Sequence, residues 1–119
     1  MDFYEAIASH TKWRIRLFQG IRGHWQLPEA DEIARADLCD LGKWLAGEGA
    51  QYAYASSYRE ALAAHAEFHE RAAEVARTLK GGDSAAAEAM LAPGRPYTLA
   101  SDAVILALTK LRADVGKHR

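Results

Sequence analysis

Two histidines four residues apart give this sequence its clearest chemical signal. His65 and His69 lie in a segment with helical periodicity, and side chains at that spacing share one helix face with Cβ atoms about 5–6 Å apart. Both imidazoles can therefore reach one metal ion, although such a pair is also found as core or partly exposed histidines. The pattern differs from the H-E-x-x-H of metalloproteases, because Glu67 follows His65 by two residues and faces away from the pair.

Two further candidate metal ligands, a histidine and a cysteine, lie on or beside the inward faces of predicted helices. His10 belongs to the apolar stripe of the first helix, and Cys39 flanks the stripe of the second. Each helix residue rises 1.5 Å along the axis of an up-and-down bundle. Counting residues up and down successive helices places His10, Cys39 and the histidine pair at about the same height in the bundle. We therefore predict that these side chains converge. Taken alone, Cys39 would be interpreted as a small buried side chain, as most free cysteines are.

Three imidazole nitrogens and one thiolate form a complete tetrahedral shell for Zn²⁺. Thiolate and imidazole ligands favour zinc over Mg²⁺ or Ca²⁺, while Ni²⁺, Co²⁺ and copper remain open on ligand type. The predicted cofactor is Zn²⁺, with no catalytic residue, and the predicted metal ligands are His10, Cys39, His65 and His69.

Carboxylates and tryptophans near these positions are candidates for supporting roles. Glu5, Asp37 and Asp40 could accept hydrogen bonds from imidazole N–H groups, or they are solvated surface residues. Trp13 and Trp44 are predicted to pack around the site and keep water from the ligands, because large aromatic side chains dominate buried area.

The elements that position these residues are predicted to be helices. Alanine is abundant, no stretch alternates apolar and polar residues, and all prolines and most glycines fall in candidate breaks. The stripes predict helices over about Phe3 to Ile21, from near Pro28 to about Gly47, from Tyr58 to Leu79, over about Asp83 to Leu91, and from about Thr98 onward. The predicted fold is all-α, an antiparallel four-helix bundle with one additional short helix, forming a single domain over residues 1–119.

Composition and charge exclude several classes of protein. The 119 residues include 15 Lys and Arg against 16 Asp and Glu, a net charge of −1, which argues against nucleic-acid binding through phosphate neutralisation. No apolar stretch approaches the roughly 20 residues of a membrane-spanning helix, so we expect no membrane insertion. The start of the chain has no secretory signal, and a single cysteine favours the reducing cytoplasm.

Three ordered motifs resemble those of a known family. In chain order they are His10-Thr-Lys-Trp13, Cys39-Asp-Leu-Gly-Lys-Trp44-Leu and His65-Ala-Glu-Phe-His69. As a set they resemble the chemoreceptor zinc-binding domain (CZB) family, and the similarity extends over nearly the whole chain to the segment beginning at Ser101. Matched by motif, the zinc ligands of the family fall on the four residues already singled out.

The resemblance implies a regulatory domain rather than an enzyme. Such domains bind zinc tightly and control a signalling partner, a chemoreceptor in chemotaxis or a diguanylate cyclase, in response to zinc availability or to oxidation of the zinc-bound thiolate, for example by hypochlorous acid. Because no signalling domain is present here, the chain is a stand-alone member or a piece of a longer protein. Its own Met1 and short charged ending slightly favour the stand-alone form.

Two other functions stay open, a small hydrolase-like zinc enzyme and a passive structural bundle or zinc store. The sequence places no carboxylate as an obvious general base and has no glycine-rich substrate loop, which argues against the enzyme. The resemblance also implies a homodimer. The aromatic cluster of Tyr52, Tyr54 and Tyr58 supports one, unless these are ordinary core or capping residues.

Overall fold

A computed structural model describes residues 2–116, and Met1 and the charged ending at 117–119 lie outside the described part. Its regular secondary structure is entirely helical, with no strand between residues 2 and 116. Its α-helices are α1 (Phe3–Ile21), α2 (Ala30–Ile33), α3 (Asp40–Ala46), α4 (Ser56–Lys80), α5 (Ser84–Ala89) and α6 (Pro96–Gly116), and a 3₁₀ helix covers Glu48–Tyr52. The prediction of an all-α helical bundle is confirmed.

Helix α1 has the predicted bounds because both of its ends carry local signals. The Asp2 side chain accepts a hydrogen bond from the Glu5 amide at 2.8 Å, which satisfies one of the free amides of the first turn. After Ile21 the chain turns away at Gly23, whose φ of 75° suits glycine. The stripe that α1 buries consists of Ala6, His10, Trp13 and Leu17.

The predicted second helix is interrupted, and the interruption places Cys39. Residues 34–39 leave the helical path between α2 and α3, and Cys39 has extended backbone angles, φ −86° and ψ 164°. Its Sγ accepts a hydrogen bond from the Gly42 amide at 3.3 Å, so the cysteine caps α3 instead of lying within a helix. Arg35 pairs locally with Asp37 at 2.7 Å in the linking segment, a side-chain contact that does not need a helix.

Helices α4 and α6 run antiparallel along the centre of the bundle. Ser57 Oγ at the start of α4 donates to Asp114 Oδ2 near the end of α6 at 2.7 Å. Later in α4, the Phe68 ring packs 5.3 Å from the ring of Tyr97, which lies in the first turn of α6. The core between them is apolar and well filled, with fully buried Phe68, Ala72, Val75, Val104, Leu108 and Leu111.

The buried face of α4 is broader than the predicted stripe. Tyr58, His65, His69, Ala72 and Ala76 are buried as that stripe requires. Leu62 departs from it and is 41% exposed, because at that level the helix turns Ala61, which is 1% exposed, towards its neighbours. Small alanine side chains on this face let the helices approach closely.

Helix α1 also runs antiparallel to α6, and the short helices complete the bundle. Phe3 and Val115 line one cleft at one end, while His10 reaches Ser101 nearer the other end of α6. Helix α2 packs on α4, and α3 packs on α1. The interrupted α2–α3 segment therefore occupies the place of the predicted second helix. Within the described residues, no helix has the length and apolarity needed to cross a bilayer.

Gly42 tests how closely α3 must approach the preceding segment. A Cβ added there would overlap the carbonyl oxygen of Ala36 and meet the Asp37 Cα at 3.2 Å. Gly42→Ala should therefore lower the free energy of unfolding by about 1–3 kcal/mol, the usual cost of overpacking. Urea unfolding followed by circular dichroism measures this loss.

Gly81→Ala is the matched control, because a Cβ at Gly81 meets nothing closer than 3.5 Å and its φ is −72°. That variant should keep wild-type stability or gain about 0.4–1 kcal/mol. Equal stability of Gly42→Ala and wild type would contradict the proposed close contact.

Candidate metal centre

Helix α4 buries two imidazoles against each other. His65 and His69 are only 3% and 1% exposed, and their rings stand at 89° with centroids 4.6 Å apart. Their Nε2 atoms are 3.0 Å apart. Because the residues are one helical turn apart on the core face, this pairing follows directly from the sequence spacing.

Cys39 joins the pair from the N-terminus of α3. Its Sγ lies 3.2 Å from His65 Nε2, and the ligand atoms of Cys39, His65 and His69 all lie within 4.8 Å of one another. Tetrahedral zinc with bonds of about 2.0–2.3 Å separates its ligand atoms by roughly 3.3–3.7 Å. The observed distances to His65 Nε2 are close to that range, so these three side chains could hold one ion with small adjustments.

The orientation of His69 is set by the backbone of α2. Its Nδ1 donates to the carbonyl oxygen of Ile33 at 2.6 Å, so the lone pair of the neutral ring is on Nε2, facing His65. A lone pair there needs a proton or a cation as partner. Hydrogen bonds of this kind to the remote nitrogen fix the tautomer of metal-binding histidines.

His10 is buried close by but falls outside the three-residue cluster. It is 2% exposed, and its ring packs 4.3 Å from the ring of Phe68, which also contacts His69 at 5.4 Å. His10 Nε2 lies 3.0 Å from Ser101 Oγ, and its buried Nδ1 has no hydrogen-bond partner. A buried nitrogen without a partner normally costs about 1–3 kcal/mol, which fits a fourth ligand better than a packing residue. Its role as a ligand stays a prediction.

Burial sets the protonation states of all four side chains. Loss of solvent lowers the pKa of His10 to about 4 and that of His65 to about 3. It also lowers the pKa of His69 and raises that of the Cys39 thiol. The imidazoles are therefore neutral at physiological pH and can donate lone pairs, whereas metal binding must displace a proton from the thiol.

A cleft of about 380 Å³ is lined by Cys39 and His69 at the site. Trp13, predicted to pack at the site, does so, with its ring 5.5 Å from that of His69. The guanidinium of Arg16 lies 5.5 Å from the Trp13 ring and 5.9 Å from that of Trp25. The cleft therefore gives small molecules a partly aromatic route to the sulfur.

The remaining predicted neighbours of the site either have other partners or are exposed. Trp44 packs edge-on against Phe3, with ring centroids 5.1 Å apart, farther along α3. The exposed Asp37 pairs with Arg35. Asp40 is exposed and lines the cleft, and Glu5 is exposed in the first turn of α1.

Sequence reasoning missed the two polar groups that hydrogen-bond to the imidazoles of His69 and His10 from outside the cluster. One is the backbone carbonyl of Ile33, which leaves no trace in a side-chain motif. The other is Ser101, which stands on the inward stripe of the last helix. A hydroxyl at such an apolar position was the available signal.

The helical bundle and its thiol–imidazole cluster define an all-α metal-binding domain. A comparison with protein-family models matches residues 10–76 to the chemoreceptor zinc-binding domain, CZB. The match covers more than half of the chain, which therefore belongs to the CZB family of zinc-binding domains. All four predicted ligands lie within the matched range. No curated protein and no solved structure matches the chain.

Metal analysis tests the predicted ligand set. Protein purified without added metal should contain one Zn²⁺ per chain. Cys39→Ser and His65→Ala should each weaken zinc binding by at least about 100-fold, because removal of an outer partner alone costs about 10–100-fold. Helicity should survive in both, since α4 and α6 also bury apolar side chains that are not ligands, such as Val75, Leu108 and Leu111. Emission spectrometry and a competing chelator measure content and affinity.

The matched control is His24→Ala, which removes an exposed histidine from the α1–α2 connection and should leave zinc binding unchanged. Zinc content that is equal in all variants would contradict the ligand set. Unfolding of either ligand variant in the presence of zinc would instead identify the metal as mainly a structural staple.

Proposed function

We propose that this chain is a zinc-dependent regulatory domain that acts on a signalling partner, such as a chemoreceptor in chemotaxis or a diguanylate cyclase. In this proposal Zn²⁺ is held by His10, Cys39, His65 and His69. The observation that carries it is the double role of Cys39. The same sulfur faces the histidine pair at 3.2 Å and accepts the amide of Gly42 at the start of α3.

This double role couples the metal centre to the position of a helix. Bound zinc would keep the Cys39 sulfur as thiolate and join α1, α3 and α4. Helix α3 has only 7 residues and is too short to be stable alone. Its place depends on the Cys39 cap and on the packing of Leu41, Trp44 and Leu45, which are buried. A change at the sulfur would therefore shift or loosen α3.

The far end of α3 offers a surface on which a partner could detect that shift. Trp44 packs on Phe3 and lies 6.4 Å from the Tyr52 ring. These residues line a cleft of about 590 Å³ together with Arg112. Movement of α3 would alter the shape of this aromatic cleft, so we place the partner contact there.

Two inputs fit this arrangement, zinc availability and oxidation of Cys39. Cys39 is the single cysteine of the chain, and the cleft beside it admits small reagents. Thiolate is the reactive form of the side chain. Hypochlorous acid would oxidise it by two electrons to sulfenic acid while its chlorine leaves as chloride. A thiol ligand also needs a reducing compartment, which supports a cytoplasmic location.

A second candidate function, a hydrolytic zinc site, is favoured by one observation. Glu32 and Asp40 line the cleft that is also lined by Cys39 and His69, so carboxylates stand where a general base could act. Turnover of simple ester or phosphate substrates, lost in Asp40→Asn, would support this candidate. We favour the regulatory domain because four protein ligands leave zinc no open position for a substrate.

Exposed leucines, and not the predicted tyrosine cluster, support the proposal of a homodimer. Tyr58 is buried and donates to the Leu45 carbonyl at 2.7 Å, so it belongs to the core. Leu99 and Leu106, by contrast, are 58% and 70% exposed. They lie seven residues apart and therefore share one face of α6. We propose that residues 1–119 form one domain and that this face pairs two copies.

Oxidant titration tests the coupling of sulfur to helix position. Hypochlorous acid should oxidise Cys39 faster than hydrogen peroxide does, release zinc, and increase amide exchange in residues 36–48. Mass spectrometry of the Cys39 peptide, a zinc-release dye and hydrogen exchange measure the three events. Exchange in α5 should stay constant and serves as the internal control. Quantitative oxidation with zinc retained and exchange unchanged would leave a passive zinc bundle as the better description.

Sedimentation tests the dimer. At tens of micromolar the mass should be about twice the 13.1 kDa of one chain. Leu106→Glu should dissociate it, since a charge in an apolar contact is costly to bury. Ile15→Glu, at a position on α1 that is 60% exposed, is the matched control. A wild-type mass near 13.1 kDa would contradict the dimer.

A further inference from the structure

His10 and His69 use different ring nitrogens for their hydrogen bonds to groups outside the Cys39–His65–His69 cluster. His69 uses Nδ1 on the Ile33 carbonyl and turns Nε2 towards the cluster. His10 uses Nε2 on Ser101 Oγ at 3.0 Å, and its Nδ1 is buried without a partner. The two histidines therefore present different nitrogens for any further bond.

The partner of His10 restricts its tautomer. A neutral imidazole has one N–H and one lone pair. If the Ser101 hydroxyl donated to Nε2, then Nδ1 would carry a buried N–H with no acceptor, and such orphaned donors are rare in folded proteins. If Ser101 accepts from Nε2–H, the unpartnered Nδ1 carries only a lone pair. That lone pair is the form a metal ligand requires.

We propose that Ser101 is a positioning residue that assigns Nδ1 of His10 to the metal, whereas His65 and His69 bind through Nε2. The inference rests on the proposed function only in taking His10 as the fourth ligand. It gives α6 a part in the site although α6 supplies no ligand and lies outside the family match at residues 10–76. The Ser101 hydroxyl ties α6 to the ring of His10 on α1.

Geometry supports a direct role for this hydroxyl. Ser101 stands one turn after Tyr97, whose ring packs on Phe68, and Phe68 contacts the His10 ring from α4. The imidazole is thus held on one side by an aromatic ring and at one nitrogen by the hydroxyl. With the ring held in this way, the hydrogen bond from Nε2 to Ser101 leaves Nδ1 as the nitrogen available to the metal.

Long-range ¹H–¹⁵N spectra of the histidine rings test the assignment in full-length protein. In the metal-free protein, His10 should be the Nε2–H tautomer. On zinc addition, the shift of a metal-bound nitrogen should appear at Nδ1 of His10 but at Nε2 of His65 and His69. A metal-bound Nε2 in His10, or a protonated Nδ1 in the metal-free protein, would overturn the proposal.

The same spectra separate this inference from the regulatory proposal. If zinc shifts His65 and His69 but leaves both nitrogens of His10 unchanged, then His10 is no ligand and the inference fails while zinc binding stands. If the assignment holds and α3 shows no zinc-dependent exchange, the regulatory function fails and the inference stands.

Variants of Ser101 distinguish positioning from simple packing. Ser101→Ala should weaken zinc binding about 10–100-fold, the usual cost of losing a ligand's outer partner, and should populate both His10 tautomers in the metal-free protein. Ser101→Thr keeps the hydroxyl and should restore the affinity and the single tautomer.

The matched control is Ser57→Ala, which removes another interhelical hydroxyl, bonded to Asp114 at 2.7 Å. It should lower stability without changing zinc affinity or the His10 tautomer. If Ser101→Ala behaves as Ser57→Ala does, Ser101 only packs and the proposal is wrong. Should Ser101→Ala fail to fold, the wild-type spectra alone decide the assignment.

Discussion

The Cys39 sulfur lies 3.2 Å from His65 Nε2 and 3.3 Å from the Gly42 amide, and the second quarter of the chain is arranged around it. To reach both, the chain must stop α2, extend through Cys39 and begin α3 immediately afterwards. Gly42 must also approach Ala36 so closely that no side chain fits. A continuous helix would present the sulfur from mid-helix and leave the Gly42 amide bonded within the backbone ladder.

Burial of three histidines in a small core has an electrostatic consequence. Each imidazole loses solvent, and burial lowers the pKa of all three, to about 3 for His65. The core can accept them because they remain uncharged and because His69 and His10 each have a polar partner outside the cluster. The same neutrality makes them competent ligands, so the features that make the rings tolerable in the core also prepare them for a cation.

Local signals explain which parts of the fold were predictable. Helix α1 follows from the Asp2 cap, the glycine shortly after Ile21 and one regular stripe, all of which are short-range. The histidine pair follows from helical spacing alone. The break before α3 depends on a sulfur acting as a cap and on one backbone contact at Gly42, and neither has a sequence pattern of its own. The partner of His69 is a backbone carbonyl, which leaves no sequence motif. The partner of His10 lies 91 residues away, and its one signal is a hydroxyl on an otherwise apolar stripe.

The antiparallel course of α1 and α6 brings the two described ends of the chain together. Asp2 and Gly116 line the same cleft as Trp44 and Tyr52. Any polypeptide joined to either end would leave the bundle side by side, next to the aromatic contacts made by α3. A host protein could therefore carry this bundle as an insertion in a single loop without separating its own flanking segments. A rearrangement of α3 would then change the packing beside both junctions at once.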